Sequence, residues 1–163
     1  MKIRDVQVTD AKGITEVLNP IIDEGLYTIL DRTFTCEEEV AFIKHFPENG
    51  IFTVAESEDS MIAGFQNVEP FASYTKAFDH VGIIGTFVDA NFRRQGVAKK
   101  LFQLTFERAK EKGYEKLFAY VRADNERALA TYINQGFYVV GTAKKHARIN
   151  GQYIDEVLIE KFL

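Results

Sequence analysis

The residues in this sequence best suited to chemistry are Arg93-Arg94-Gln95-Gly96-Val97-Ala98, a polar turn between an apolar run, Val81 to Val88, and a long amphipathic stretch. A turn that opens a helix leaves backbone N–H groups without partners, and with the helix dipole these suit an anion such as a pyrophosphate. Gly96 lets a ligand come close to the backbone, and Arg93 and Arg94 add positive charge. The same six residues also fit an ordinary strand-to-helix turn with two solvated arginines. Asn125 and Tyr132 form a second group, Asn125 as a helix N-cap and Tyr132 on the apolar side of that short helix. Glu69, Asp79 and His80 flank the Val81–Val88 run, and a histidine titrating at about 6.5 is able to exchange protons near neutrality.

Other reactive residue types form no constellation. His45, His80 and His146 lack metal-ligand spacing, and no metal is expected. Cys36 is the single cysteine, without a partner, near a helix start. Glu37-Glu38-Glu39 reads as a solvated first turn, and Lys144-Lys145-His146-Ala147-Arg148 as a small basic run at a hairpin end.

The elements that position these residues follow from periodicity. Ile3 to Val8 alternates as a half-buried strand, and Thr9-Asp10 caps a helix bearing Ile14, Val17 and Leu18, which Asn19-Pro20 ends or kinks. Ile21 to Phe34 reads as a loop with short helical pieces. Thr35 then caps a helix whose apolar face is Val40, Ile43 and Phe46. Strands are expected at Ile51–Glu56 and Met61–Glu69, joined by a hairpin loop, with Pro70 to His80 as a connector to the Val81–Val88 strand. The long helix runs to about Lys112, with Gly113 as its C-terminal cap. Lys116–Val121, the short helix ended by Gly136, and strands Phe137–Ala143 and Tyr153–Phe162 around an Asn150-Gly151 turn complete the chain. The order is β-α-α-β-β-β-α-β-α-β-β, an α/β or α+β arrangement with helices on a central sheet.

Length and composition narrow the classes. The 163 residues fit one domain, 1–163, and suffice for a real core. A net charge of −4 gives no global basic field, which argues against a dedicated nucleic-acid binder. With one cysteine, no signal-peptide h-region and no apolar run of membrane-span length, a cytoplasmic location is expected, with no membrane partner.

Two motifs in order give a resemblance that covers most of the chain. Val88-Asp89-Ala90-Asn91-Phe92-Arg93-Arg94-Gln95-Gly96-Val97-Ala98 is similar to the acyl-CoA signature of the Gcn5-related N-acetyltransferase (GNAT) superfamily, with Ala90 in place of the common proline. Asn125-Glu126-Arg127-Ala128, followed by Tyr132 and Gly136-Phe137, resembles the same family's more specific "Asn-x-x-Ala-x-x-x-Tyr-x-x-x-Gly-Phe" run. The resemblance implies a mixed, mostly antiparallel central sheet flanked by helices, and acetyl-CoA as co-substrate. It places the pyrophosphate on the helix start at Gln95 to Lys99 beside Arg93 and Arg94, and the pantetheine amides on the backbone of Phe87 and Val88. Asn125 and Ala128 fall on the cofactor side. It makes Tyr132 the acid that protonates the leaving thiolate, a phenol with an ordinary pKa of about 10.

The general base is open. Ile83, Ile84 and Gly85 stand where the family often carries a glutamate, which leaves Glu69 and His80 as candidates beside a water chain. The acceptor cleft is expected from Asn19 to Phe34, Pro70 to His80 and the Arg148–Tyr153 turn, with Glu24, Tyr27 and Phe34 on the acceptor side. The function implied is acetyl transfer to a primary amine of a small molecule or amino acid, directly within a ternary complex. A protein or peptide acetyltransferase and a non-catalytic acyl-CoA module are the alternatives, and the oligomeric state is open, a homodimer included.

Overall fold

A computed structural model describes residues Met1–Leu163. The strands are β1 (Lys2–Asp5), β2 (Ile51–Glu56), β3 (Ile62–Pro70), β4 (Val81–Val88), β5 (Lys116–Arg122), β6 (Tyr138–Ile149) and β7 (Gln152–Phe162). The helices are α1 (Ala11–Glu24), α2 (Cys36–Lys44), α3 (Val97–Glu111) and α4 (Glu126–Asn134). All seven strands lie in one sheet, in the order β1-β2-β3-β4-β5-β7-β6. Each neighbouring pair is antiparallel except β4–β5. This is the mixed, mostly antiparallel sheet flanked by helices that the resemblance implies.

The parallel pair is short. Only Val81, Gly82 and Ile83 register with Lys116, Leu117 and Phe118. On their other edges, β4 pairs with β3 from Pro70↔Gly82 to Gly64↔Val88, and β5 pairs with β7 from Lys116↔Phe162 to Arg122↔Glu156. The two central strands therefore part beyond Ile83 and Phe118 and leave a gap in the middle of the sheet.

Alternation along each strand sorts the side chains to two faces. Val68, Ile84, Leu117, Val121 and Ile159 pack with Phe102 and Tyr132 under α3 and α4. Phe52, Val54 and Phe65 pack with Ile14, Val17 and Ile21 of α1 on the opposite face. Each large apolar side chain buried this way contributes about 1.5–3 kcal/mol. The same alternation puts Asn67, Glu69, Ile83, Gly85, Phe87, Tyr120 and Glu156 on the α1–α2 face. Phe87 stacks on Phe65 there, and Arg122 reaches the loop after α1.

Local signals explain several boundaries. The Thr35 hydroxyl accepts from the Glu38 N–H while the Glu38 carboxylate accepts from the Thr35 N–H, a capping box that starts α2. Gly113, at φ +88°, closes α3. Four expectations are corrected. β1 stops at Asp5, and a 3₁₀ turn, Val8–Asp10, precedes α1. The Asp10 carboxylate does not cap the helix N–H groups; it accepts two 2.8 Å bonds from Arg4 and one of 2.7 Å from the Gln7 N–H. β6 continues past Ala143 to Ile149, because a bulge with Lys145 at φ +51° lets pairing with β7 resume at Ala147.

The fourth correction concerns α1, which does not end at Asn19-Pro20 but runs through Pro20 to Glu24. Burial of Ile21 and Ile22 offsets the missing proline N–H, and Asn19 ties the helix to the loop by bonding both the N–H and the carbonyl of Phe34. No helix is long and apolar enough to cross a membrane. Pro20→Ala restores a donor for the carbonyl one turn earlier, and should raise the unfolding free energy by about 1–3 kcal/mol in urea titrations.

Candidate active site

After β4, the chain turns through Arg94 at φ +62° and Gly96 at φ +77° before α3 begins. None of the backbone N–H groups from Arg93 to Lys99 donates a hydrogen bond within the chain. A Cβ built on Gly96 meets nothing within 4 Å, so the turn is open on that side. Seven free donors at a helix N-terminus, with a left-handed residue on either side of Gln95, make a concave seat for an anion. Arg93, Arg94, Gly96, Val97 and Ala98 line a large cleft beside it. The side chains of Gln95 and Lys99 do not line it. Gln95 Nε2 donates to the Asn91 carbonyl at 2.9 Å, and Lys99 is exposed, so these two offer their N–H groups alone.

The cleft has a volume of about 1130 Å³ and passes through the gap between β4 and β5. That is above the roughly 300–1,000 Å³ usual for one small ligand, and leaves room for two reactants. Thr86, Phe87 and Val88 line one wall, and Val121, Asn125, Ala128 and Tyr132 line the other. Along Ile84–Val88 the β4 backbone has no strand partner on the β5 side. An extended ligand with amide groups can take the place of that missing strand.

Tyr132 sits at the waist of this cleft. Its ring is buried, with Phe102 at 5.4 Å and Phe137 at 5.1 Å edge-on. Its hydroxyl is 2.9 Å from the Thr86 hydroxyl, and Gln66 Nε2 donates to Thr86 Oγ1 at 2.8 Å. The Thr86 hydroxyl, one donor with two acceptor sites, accepts from Gln66 and shares a hydrogen bond with Tyr132 Oη in which either oxygen can donate. Burial pushes the phenol up to about 12, against the weaker opposing effect of the Thr86 bond, so it is a weaker acid than the unperturbed tyrosine expected from sequence. Asn125 Oδ1 accepts from the Ala128 N–H and its Nδ2 donates to the Tyr27 carbonyl, so the capping asparagine also pins α4 to the loop after α1.

The acids are distributed differently from expectation. Glu69 lines the cleft from β3, opposite Ile83. His80 does not. It lies exposed at the start of β4, where its carbonyl accepts from Glu115 and Lys116, and Thr86 is six residues along the strand, about 20 Å away. Asp79 is also outside the cleft. Glu39 is not solvated: only 5% exposed, it lies on the inward stripe of α2 with Cys36, Val40 and Ile43 and lines the cleft. Burial alone pushes its carboxyl up to about 7. Its signal was its spacing, three residues after Cys36 and four before Ile43.

On the acceptor side, Tyr27 and Phe34 line the cleft and Glu24 does not. Of the 70–80 connector only Pro70 and Phe71 take part, and the Arg148–Tyr153 turn stays outside. Tyr120 and Glu156, unsuspected from the sequence, occupy that end instead. Both belong to strands whose inward faces only the register defines.

The sequence profile of the Acetyltransferase (GNAT) family matches residues 23–137. The chain belongs to this family. The L-amino acid N-acetyltransferase AaaT of Escherichia coli K12 is 34% identical over 77 residues, 47% of this chain and 48% of that protein. Two further curated relatives are matched over 39% and 25% of their length, so the chain spans about half or less of these proteins. Among solved structures, a ribosomal-protein-alanine N-acetyltransferase from Brucella melitensis superposes with a TM-score of 0.93 at 23% identity, covering 100% of both chains. A GNAT phosphinothricin acetyltransferase from Sinorhizobium meliloti, in complex with acetyl-CoA, gives 0.90 at 19% identity over 99% of this chain and 88% of its own.

The raised carboxyl of Glu39 has a consequence for stability. Its folded pKa lies above the unfolded value of 4.5, so its contribution is fully present below pH 4.5 and lost as pH rises through about 7. Glu39→Leu should therefore melt roughly 5 °C or more above the unaltered protein at pH 8, with a smaller gap at pH 5, by calorimetry at both values.

Proposed function

We propose that the protein is an acetyl-CoA-dependent N-acetyltransferase that moves an acetyl group to the primary amine of a small molecule, by direct transfer in a ternary complex. One observation carries the reading: a single cleft joins the seven unpaired N–H groups of the 93–99 turn to the buried Tyr132 hydroxyl and continues to a second chamber beneath α2. The names of relatives that act on amino acids and on phosphinothricin support a small-molecule acceptor. So does the cover of Leu30, Phe34 and Phe42 over the far chamber. The reading includes a cytoplasmic enzyme, in keeping with the lone free thiol of Cys36.

In this reading Arg93, Arg94 and the N–H groups of Gln95 to Lys99 hold the pyrophosphate. The open backbone edge at Phe87 and Val88 receives the pantetheine amides, with Asn125 and Ala128 on the opposite wall. The acetyl thioester supplies an activated carbonyl. The Tyr132 hydroxyl, oriented by Thr86 and Gln66, donates its proton to the departing sulfur. A phenol near 12 suits this role because a thiolate leaving inside the same dry cleft is also more basic than in water.

Thiol release from acetyl-CoA against a panel of amines, amino acids and peptides tests the proposal. Turnover with small amines is expected. Tight acetyl-CoA binding without turnover of any acceptor would instead leave a non-catalytic module. Tyr132→Phe should lower kcat by about 10²-fold with acetyl-CoA affinity preserved, in steady-state kinetics and calorimetric titration. Gly96→Val should raise the acetyl-CoA Kd by about tenfold or more, because a β-branched residue resists φ +77° and its side chain enters the anion seat.

A further inference from the structure

The two ends of the cleft carry unlike charge. Arg93, Arg94 and Arg127 line the end next to α3 and α4. Beneath α1 and α2 the lining acids are Glu39, Glu69 and Glu156. The arginine at that end, Arg122, has four of its five N–H donors engaged and its charge paired with Asp124. Its Nε and Nη2 donate to the Asp124 carboxylate at 2.9 and 2.8 Å, and its Nη1 donates to the carbonyls of Gly25 and Thr28 at 2.9 and 3.1 Å. Glu38, at the rim, is paired with Arg32 at 2.8 Å and caps its own helix. A carboxylate entering this chamber meets Glu39, Glu69 and Glu156, while the unpaired cation nearest to it, Arg93, lies over the Tyr27 ring on the side of the anion turn.

None of these three acids has a partner, and two of them are buried. Glu39 is 5% exposed and Glu156 is 3% exposed, and neither side chain makes a hydrogen bond or an ion pair. Neither contributes a sealed, unpartnered oxygen, so both keep their oxygens toward the cavity they line. Leu30, Phe34, Phe42, Phe71 and Ile83 form the apolar walls around them. Buried carboxylates among apolar walls are unfavourable unless something supplies donors. No acid stands on β4 itself, where Ile83, Ile84 and Gly85 face the gap.

We propose that this chamber takes a small primary amine with an apolar or second cationic end and no carboxylate, Glu39 binding its ammonium and accepting its proton. The inference rests on the N-acetyltransferase reading and names its substrate class. Glu39 in its ionised form takes one proton from the ammonium and passes it to solvent. The neutral nitrogen forms a bond to the acetyl carbonyl carbon, the carbon–sulfur bond breaks, and the sulfur takes the Tyr132 proton. The second nitrogen proton returns to Tyr132. Thioester and ammonium become amide, thiol and one released proton. Desolvation in the apolar chamber lowers the ammonium pKa toward that of Glu39, which eases the transfer.

The titration of Glu39 is set by burial, which holds it at about 7, close to the working pH of a general base. On the elements packed against α2, Asp10 is paired with Arg4 and Lys12 with Glu16, while Asp23 and Glu24 lie at the exposed end of α1. Glu69, Glu156 and Arg122 face it from the sheet, and Glu38 from its own helix. None of these contributes to its shift. Glu156 is also raised, first by burial and against the opposing charges of His146 and Arg122.

Matched pairs test the substrate class: phenethylamine against phenylalanine, and cadaverine against lysine. The amine of each pair should have the higher kcat/KM by about 10²-fold, and preference for the amino acid overturns the inference. Glu39→Gln should lower the amine kcat/KM by about tenfold or more and remove the rise in rate through about pH 7, with the acetyl-CoA KM unchanged. Glu39→Asp should restore part of both. An unchanged rate and pH profile in Glu39→Gln, or a loss of acetyl-CoA affinity in it, overturns the role of Glu39. The matched pairs need no variant, so a poorly folding Glu39→Gln leaves that test standing. Absence of turnover across the whole acceptor panel, with acetyl-CoA still bound, is a distinct result: it removes the N-acetyltransferase reading itself, and this inference with it.

Discussion

The parallel pairing of β4 and β5 holds from Val81 to Ile83 and then ends, although each strand stays paired on its other edge. Two strand edges with unpaired N–H and C=O groups then face each other inside the molecule. Such groups need partners, from water or from a ligand lying in the gap. The gap also makes the two faces of the sheet one space. The helix start at Val97 sits at one mouth and α2 covers the other. A continuous β4–β5 ladder would divide the cleft and separate the anion seat from the acidic chamber.

The same gap governs the titration of the groups inside it. Burial is the leading cause of both large shifts, yet the outcomes differ. It moves Tyr132 away from neutrality, to about 12, and keeps its proton in place. It moves Glu39 toward neutrality, to about 7, where the carboxyl exchanges a proton readily. The same low-dielectric space raises both groups, and the outcomes differ because a phenol starts near 10 and a carboxyl near 4.5.

The two ends of the cleft are mechanically tied. Tyr27, in the loop after α1, lies under the Arg93 guanidinium at 5.1 Å and accepts from Asn125 through its carbonyl. Arg122 binds that loop at Gly25 and Thr28 from the end of β5. The roof of the acceptor chamber is therefore fastened to the anion turn, to α4 and to the central strand. A change in α4 or in the central strand reaches the roof through hydrogen bonds, and one in the anion turn through the Arg93–Tyr27 stacking contact.

Much of this was legible along the chain, because it depends on neighbours in sequence. The element order, the Thr35 and Asn125 caps, Gly113 after α3, and the open turn at Arg93 to Ala98 all follow from contacts within about four residues. The spacing of Asn125, Ala128 and Tyr132 is of the same kind, three and four residues on one helix side. Pro20 was misread because the local rule for proline yields to the burial of Ile21 and Ile22, which is not local. Glu39 was misread for the same reason: in sequence it is one of three acids in a first turn, and in space its side of the helix faces the sheet. The Gln66–Thr86–Tyr132 chain spans β3, β4 and α4, and Glu156 arrives from β7. Sequence by itself determined the starts of α2 and α4 and the open turn before α3, since local geometry fixes them. Only the tertiary structure decided which acids share the cleft and what they titrate at, since strand register and burial exist only once the sheet is assembled.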